Sequence, residues 1–240
     1  MIALTSISPQ HINDQVQAIK TWHELGLNVY SFNSKEEIKA LKGIYKDVNF
    51  IETQRILDKT YGKPVVSISA MIDFAKQQNE KTFMFINSDI ELRNDLRLIA
   101  KISEQLQQGL VLANRFEYSD VVEKDRTLHQ YFEGIDVFCL HKDHLEIYPQ
   151  TMFAMGQCFW DYWIPFTAFQ NGLDVFLLQN RFAFHREHKQ QYSKDNWLLT
   201  GRYFRLHAGL YQFDDSTKGI SNMSTFVKTK IYRNAIKKTL

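Results

Sequence analysis

The chain has 240 residues, of which 44% are hydrophobic and 23% are charged, and these ordinary globular values exclude a disordered protein. Its formal net charge of +2 does not indicate a nucleic-acid binder, and two cysteines, Cys139 and Cys158, are typical of a reducing compartment. No apolar run approaches the ~20 residues that a membrane span needs, and the first seven residues do not resemble a signal peptide. We therefore expect a folded cytoplasmic protein.

Strands and helices alternate along the first half of the chain. Strands are predicted at residues 2–5, 27–32 and 49–52, and the helix after the first strand carries Val16, Ile19, Trp22 and Leu25 at helical spacing. This alternation is typical of right-handed βαβ units. The sequence therefore predicts an α/β fold with a mostly parallel central sheet.

The most informative stretch is residues 82–92, where a short apolar run stops at a group of polar residues. Residues 83–86 are apolar throughout, which indicates a central strand covered on both faces. Asn87, Ser88, Asp89 and Glu91 follow at its carboxyl end, the edge where open α/β sheets bind ligands. A carboxylate there suits a hard divalent cation. The alternative is a simple polar turn.

A lysine precedes the helix that leads into this strand. Pro64 is predicted to occupy the first position of that helix, with Ile68, Met71 and Ile72 on one face. Lys63 would then add its ammonium group to the helix amides, a combination suited to phosphate. The alternative is an exposed loop lysine.

In the second half, strands are predicted at 110–115, 134–140 and 173–178, and a helix begins near Trp160. Asp161 lies in its first turn between aromatic residues, which would exclude water and raise its proton affinity. A carboxylate of this kind is suited to general base catalysis. The alternative is an N-terminal acid that stabilises the helix dipole.

Two histidines, His185 and His188, follow the last of these strands. Together they do not make a zinc set, but one neutral imidazole could join a distant carboxylate on a cation. The segment 193–240 is predicted to be a helical extension beside a domain spanning 1–192. From residue 216 onward it carries six basic residues and no acid, so it is either an interfacial helix on anionic lipid or a solvated helix.

Three of these features, in this order, resemble glycosyltransferases of the GT-A fold over about residues 2–192. Asn87-Ser88-Asp89 is similar to the DXD motif, Gly156 followed by Trp160-Asp161-Tyr162-Trp163 is similar to the acceptor-side helix, and His185 follows. The resemblance implies a Rossmann-type α/β/α sandwich with a helical C-terminal segment. It also implies binding of a nucleotide sugar and of Mn or Mg.

The resemblance assigns a role to each candidate residue. Asp89 would hold the cation on the donor diphosphate with His185 as a further ligand, and Asp161 would deprotonate the acceptor. Lys63 would stabilise the leaving charge. Residues implied in donor binding are Thr5, Ser6, Ser8, Asn33, Asn87 and Ser88, and further candidates are His188, Trp160 and Trp163. Asn87 departs from the motif, because its amide can bond a ribose hydroxyl but adds no charge to a metal site.

The implied function is an inverting, metal-dependent glycosyltransferase that acts on a surface polysaccharide or a lipid-linked glycan. The basic C-terminus would then contact the inner face of the membrane. A nucleotidyltransferase is an alternative, although the loop after the first strand lacks the glycines of a phosphate-binding loop. A non-catalytic nucleotide-sugar or glycan-binding module is a third interpretation.

Overall fold

A computed structural model of the chain describes residues 1–119, 129–187 and 193–240. Within these residues, ten strands form one sheet. Eight of them follow the order β10-β8-β6-β7-β4-β1-β2-β3, and all pairings among these eight except those of β7 are parallel. The other two strands, β5 and β9, pair with each other, and β9 also pairs with β6. The strands are β1 (Ile2–Thr5), β2 (Asn28–Asn33), β3 (Asn49–Glu52), β4 (Thr82–Ile86), β5 (Ile90–Leu92), β6 (Gly109–Tyr118), β7 (His129–His141), β8 (Asp174–Leu178), β9 (Ala183–Arg186) and β10 (Ile236–Lys238).

Helices cover both faces of the sheet. The helices are α1 (Ile12–Glu24), α2 (Lys35–Leu41), α3 (Asp58–Tyr61), α4 (Ile68–Gln77), α5 (Leu96–Gln105), α6 (Trp160–Gln170), α7 (Lys194–His207) and α8 (Thr217–Asn234), with a 3-10 helix at Lys142–Ile147. One core joins the sheet to α4, α6, α7 and α8, and the other joins it to α1 and α5. In the described part of the chain, no helix combines the length and hydrophobicity needed to cross a membrane.

Strand β4 shows why the apolar run is central. Phe83 and Phe85 point into one core, whereas Met84 and Ile86 point into the other, and all four are fully buried. Successive strand side chains alternate between faces, so a strand between two helical layers must be apolar at every position. The predicted central strand is therefore present.

Strand β6 pairs with different strands along its two halves. Its first half pairs with β8, from Gly109 to Leu112, and its second half pairs with β9, from Arg115 to Tyr118. The pairing of β6 with β7 changes register around Asn114, and such irregularities bend a strand. The bend carries the second half of β6 toward the carboxyl ends of β1 and β4.

The helix start predicted at Pro64 is wrong. Helix α4 begins at Ile68, and the hydroxyl of Ser67 caps it by accepting a hydrogen bond from the Ser69 amide at 3.2 Å. Val66 instead forms an isolated β-bridge with Ile56, which keeps the backbone after Pro64 extended. Proline is also compatible with extended structure, so the residue alone did not decide between the two.

The C-terminal segment packs on the sheet and extends it. Phe204 of α7 and Ile220, Met223 and Val227 of α8 belong to the same core as β4. After α8, β10 pairs with β8 in parallel. Residues after 192 therefore share the core of the predicted domain 1–192.

Candidate active site

A cavity of about 1260 Å³ lies at the carboxyl ends of β1 and β4. Its walls include nine residues singled out in the sequence, which come from separate segments of the chain. These are Ser6, Ser8, Lys63, Asn87, Ser88, Asp89, Trp160, Asp161 and His185. His188 lies outside the described residues.

Three other candidates lie behind the wall. Thr5 and Asn33 are fully buried, and Trp163 packs its ring against Tyr148 and Phe153. The Asn33 amide donates to Ile7 O at 2.8 Å and to Glu37 Oε2 at 3.2 Å. The cavity wall at this point is formed by Glu37, which is therefore better placed than Asn33 to meet a ligand.

The loop after β1 is fixed by a buried glutamine. Gln15 Nε2 donates to Ser8 O at 2.9 Å, and Gln15 Oε1 accepts from the Ser8 amide at 2.8 Å and from the Ser88 hydroxyl at 2.7 Å. Gln15 thereby ties the β1 loop to the loop that carries Asp89. The backbone of His11, at the start of α1 in the same wall, is left-handed with φ of 53°.

One end of the cavity holds the predicted metal ligands. Asp89 Oδ2 lies 3.4 Å from His185 Nε2, and His185 Nδ1 lies 3.7 Å from Glu117 Oε1. Strand register creates this arrangement, because Ile90 of β5 and Glu117 of β6 are both direct partners of His185 on β9. His185 thus has a carboxylate at each ring nitrogen.

This arrangement fits a divalent cation. A metal-binding histidine commonly donates its second ring N–H to a carboxylate, and Glu117 Oε1 lies on that side of the ring, although at 3.7 Å from Nδ1 it is beyond hydrogen-bonding distance. Among the described residues, no three His, Cys, Asp or Glu side chains form a ready-made metal site. A cation on Asp89 and His185 would therefore take its other ligands from phosphate oxygens or water, which hard cations accept readily.

The floor of the cavity carries an arginine between two carboxylates. Arg115 Nη2 and Nε lie 2.9 and 3.1 Å from Glu117 Oε1, and Arg115 Nη1 lies 2.8 Å from Asp136 Oδ2. Burial by itself would lower the pKa of the Arg115 guanidinium, but the charges of Asp136 and Glu117 outweigh it and raise that pKa. Arg115 is therefore permanently charged.

Asn87 also binds Asp136. Its Nδ2 donates to Asp136 Oδ1 at 2.7 Å, and its backbone amide donates to Asp136 O at 3.4 Å. The amide nitrogen of Asn87 is thus directed at Asp136, whereas the resemblance to the DXD motif implied a contact with a ribose hydroxyl. The contact also explains the departure from the DXD pattern, because a carboxylate at this position would face a second carboxylate.

Asp161 lies in the wall at the first turn of α6. Burial, the largest effect, and the charge of Asp136 together raise its pKa to about 7, against the opposing effects of backbone hydrogen bonds and Arg115. The N-cap of α6 is Phe159, so Asp161 is not the cap itself. A carboxyl group that titrates near pH 7 in a cleft has the proton affinity of a general base.

The backbone before Asp161 is strained. Phe159 has φ of 68°, a left-handed conformation that is costly for a residue with a bulky side chain. Its ring packs against Trp197 and Phe204, and the absence of a side chain at Gly201 leaves room for it. Trp160 is held edge-on against Phe138, with 4.9 Å between ring centroids. Packing thus fixes the turn that presents Asp161.

Helix α8 forms the wall beyond Asp161. Ser224, Thr225 and Lys228 line the cavity, and the Tyr232 hydroxyl donates to Asn114 Oδ1 at 2.9 Å. Burial raises the pKa of Tyr232, and the charge of Asp161 contributes to the same shift. The C-terminal segment therefore contributes directly to the site.

Sequence reasoning missed Arg115, Glu117 and Asp136, although a signal was present. Arg115 and Glu117 are two residues apart, which places both on one face of a strand. Asp136 is a single acid inside the apolar run 135–140, and a carboxylate is almost never fully buried unless it is paired.

No protein-family model and no curated protein matches the sequence. Among solved structures, the 1–349 fragment of S. aureus TarS in complex with UDP-GlcNAc aligns with a TM-score of 0.53 and 9% identity, over 85% of this chain and 66% of the fragment. Its complex with UDP aligns with a TM-score of 0.51 and 9% identity, over 85% and 64%. The chain thus spans slightly less than two thirds of the fragment.

A putative glucose-1-phosphate thymidylyltransferase from Bacillus anthracis aligns over 92% of this chain and 98% of its own length. Its TM-score of 0.46 at 8% identity is too low to support an inference about the fold. At 9% identity, the likeness to TarS concerns the fold alone. The prediction made from the sequence is confirmed at that level: the chain has the GT-A fold, an α/β/α sandwich with a mostly parallel central sheet.

Proposed function

We propose that the chain is a glycosyltransferase that moves a sugar from a nucleotide-sugar donor to a hydroxyl acceptor. The observation that carries the proposal is Asp161, a carboxyl group with a pKa of about 7 in the wall of the same cavity as the Asp89–His185 pair. The first group suits proton removal from a hydroxyl, and the pair suits a cation on a diphosphate. Together they supply the two functions that sugar transfer from a nucleoside diphosphate requires.

In the proposed reaction, Asp161 accepts the proton of the acceptor hydroxyl as its oxygen attacks the anomeric carbon. The bond from that carbon to the diphosphate breaks on the opposite face, so the configuration is inverted. Lys63 lines the cavity and would offset charge on the departing diphosphate. Asp89 and His185 would hold Mn or Mg, which supplies further positive charge there.

The remaining walls are proposed to bind the two substrates. Ser6, Ser8, Ser88 and Glu37 would contact the nucleoside, because they surround the end of β1 where nucleotide-binding sheets hold their ligand. Helix α8 would face the acceptor, which we propose to be a surface polysaccharide or a lipid-linked glycan. UDP-GlcNAc is the first donor to test, because a TarS structure contains it.

Peripheral contact with a membrane through the basic C-terminus remains a prediction. Several of the six basic residues from residue 216 onward have contacts within the chain. Lys228 lines the cavity, Lys230 lies 5.4 Å from the Phe166 ring centroid, and Lys238 lies 5.5 Å from that of Phe176. We therefore expect any attraction to anionic lipid to be weaker than the six charges alone would give.

The test is a panel of UDP-, GDP- and dTDP-sugars with Mn²⁺ and glycan acceptors. Sugar transfer releases a nucleoside diphosphate, whereas a nucleotidyltransferase working backwards on a nucleotide sugar would consume pyrophosphate. The anomeric proton coupling of the product reports inversion. Binding of a nucleotide sugar without turnover across the panel would support a non-catalytic module instead.

A matched pair of variants then tests Asp161. Asp161→Asn should abolish transfer while UDP binding, measured by calorimetry, is retained, because the amide cannot accept the proton. Asp174→Asn removes an exposed acid at the start of β8 and should leave both unchanged. Turnover retained in Asp161→Asn would remove Asp161 from the mechanism.

A further inference from the structure

Arg115 lies between the predicted cation site at Asp89 and His185 and the proposed general base, Asp161. Its side chain is 12% exposed and points three of its nitrogens at carboxylates on either side. An arginine fork in this geometry holds two acidic groups at fixed positions, which a lysine cannot do with a single nitrogen.

On the cation side, the contact runs through Glu117. Two nitrogens of Arg115 lie within 3.1 Å of Glu117 Oε1, and the same oxygen lies 3.7 Å from His185 Nδ1. Arg115 therefore fixes the carboxylate that would orient the His185 ring. The Nε2 atom of that ring is left facing Asp89.

On the acceptor side, the contact runs through Asp136. One of its oxygens accepts from Arg115 and the other accepts from Asn87, so both are directed and the carboxylate has one orientation. Asp136 and Asp161 line the same cavity, and the negative charge of Asp136 increases the proton affinity of Asp161. Arg115 acts on Asp161 in the opposite sense.

We infer that Arg115 is a positioning residue that joins the two ends of the site, holding Glu117 at His185 and Asp136 beside Asp161. The roles of His185 and Asp161 in this inference rest on the proposed glycosyltransferase function. Arg115 acts through its neighbours, without contact with the reacting atoms. The cation end and the proton-accepting end are therefore coupled through a single guanidinium.

The charged and titratable groups that face Asp161 determine what a substitution should do. In the described part of the chain these include Asp136 on β7, Arg115 on β6, Cys158 in the loop before α6 and Tyr232 on α8, with Lys63 and Lys228 in the same cavity. Asp136→Asn removes a negative neighbour and should lower the pKa of Asp161. Arg115→Met leaves Asp136 uncompensated, so the pair of carboxyl groups should take up a proton at a higher pH.

The measurement is a carbon-13 NMR titration of protein labelled at the aspartate carboxyl carbon. The Asp161 signal is identified by its loss in Asp161→Asn. We expect shifts on the order of one pH unit, downward in Asp136→Asn and upward in Arg115→Met, with the double variant between them. Arg115→Lys should keep the titration close to wild type while lowering Mn²⁺ affinity in calorimetry, because the charge remains and the fork is lost.

Arg205→Met is the matched control, since Arg205 is 13% exposed, pairs with Asp215 and packs in the α7–α8 region. It should not move the Asp161 titration. An Asp161 pKa that is unchanged in Asp136→Asn, or shifts of the same sign in both single variants, would overturn the inference. If Arg115→Met does not fold, Arg115→Lys decides, and an unchanged Mn²⁺ affinity in that variant would overturn the inference.

The titration needs no turnover, so the two proposals can fail separately. Opposite shifts without any sugar transfer would retain the coupling and reject the glycosyltransferase. Transfer that depends on Asp161, without opposite shifts, would retain the enzyme and reject the role of Arg115.

Discussion

Replacing Asn87 by aspartate would restore the acidic pattern of the DXD motif, yet we expect it to destabilise the protein. The Asn87 amide nitrogen lies 2.7 Å from Asp136 Oδ1. The substitution exchanges that donor for a carboxylate oxygen, so two negative charges would meet where a hydrogen bond existed. Arg115 contacts the other oxygen of Asp136 and cannot come between them.

The size of the effect follows from the smaller of two costs. At an effective dielectric constant of about 20, two unit charges 2.7 Å apart repel by about 6 kcal/mol. Binding one proton at pH 7 costs about 4 kcal/mol, because pH 7 is about three units above the ordinary pKa of an aspartate. Protonation of one carboxyl group therefore costs less than the repulsion between two charged ones. We expect a loss of about 3–4 kcal/mol in the free energy of unfolding at pH 7.

The sign of the pH dependence is fixed by the same reasoning. The pKa of the new pair is raised in the folded state, so the destabilisation is absent below the unfolded pKa of about 3.9 and grows as the pH rises toward the folded pKa. Urea unfolding at pH 5 and pH 7 measures it, with Asn79→Asp as an exposed control. A variant as stable as wild type at pH 7, or one that binds Mn²⁺ more tightly, would refute the reasoning.

Three further outcomes are expected. The acid limb of the pH profile of kcat/KM should lie near pH 7, because Asp161 must lose its proton to act as base, and a limb near pH 4 would contradict this. Lys228→Met should raise the KM for the acceptor several-fold and leave the donor KM unchanged, because Lys228 lies in the wall that we propose to face the acceptor; an effect on the donor KM would contradict this placement. Gly201→Ala should cost about 1–3 kcal/mol in urea unfolding, because the new Cβ would lie 2.3 Å from Ile220 and 3.1 Å from the Phe159 ring; unchanged stability would contradict this packing.

The parts of the site that the sequence could predict are those that follow directly from a strand end or a helix start. Asp89 follows an apolar strand, and the four apolar residues 83–86 indicate that this strand is buried on both faces. Asp161 lies at the start of a helix rich in aromatic residues. Both inferences need only local periodicity. The fold class follows from the same local signals, because alternating strands and helices restrict the sheet to a few arrangements.

The contact between Glu117 and His185 could not be predicted in this way, although Arg115, Glu117 and Asp136 each carry a local signal. Glu117 meets His185 only because β6 continues past its irregular pairing at Asn114 and aligns with β9 in one register. A shift of one residue would turn Glu117 to the other face of the strand. Register between strands almost 70 residues apart is a tertiary property, and no local pattern encodes it.

The left-handed backbone at His11 and Phe159 has a consequence for laboratory evolution. Both residues begin a helix, both line the cavity, and each conformation costs roughly 1–2 kcal/mol for a residue with a side chain. Selection for heat resistance alone should therefore favour glycine at His11, whose side chain is exposed. Selection for turnover should retain His11 if the rigid turn holds the ligand. Variants selected for heat resistance and variants selected for turnover should therefore differ first at this position.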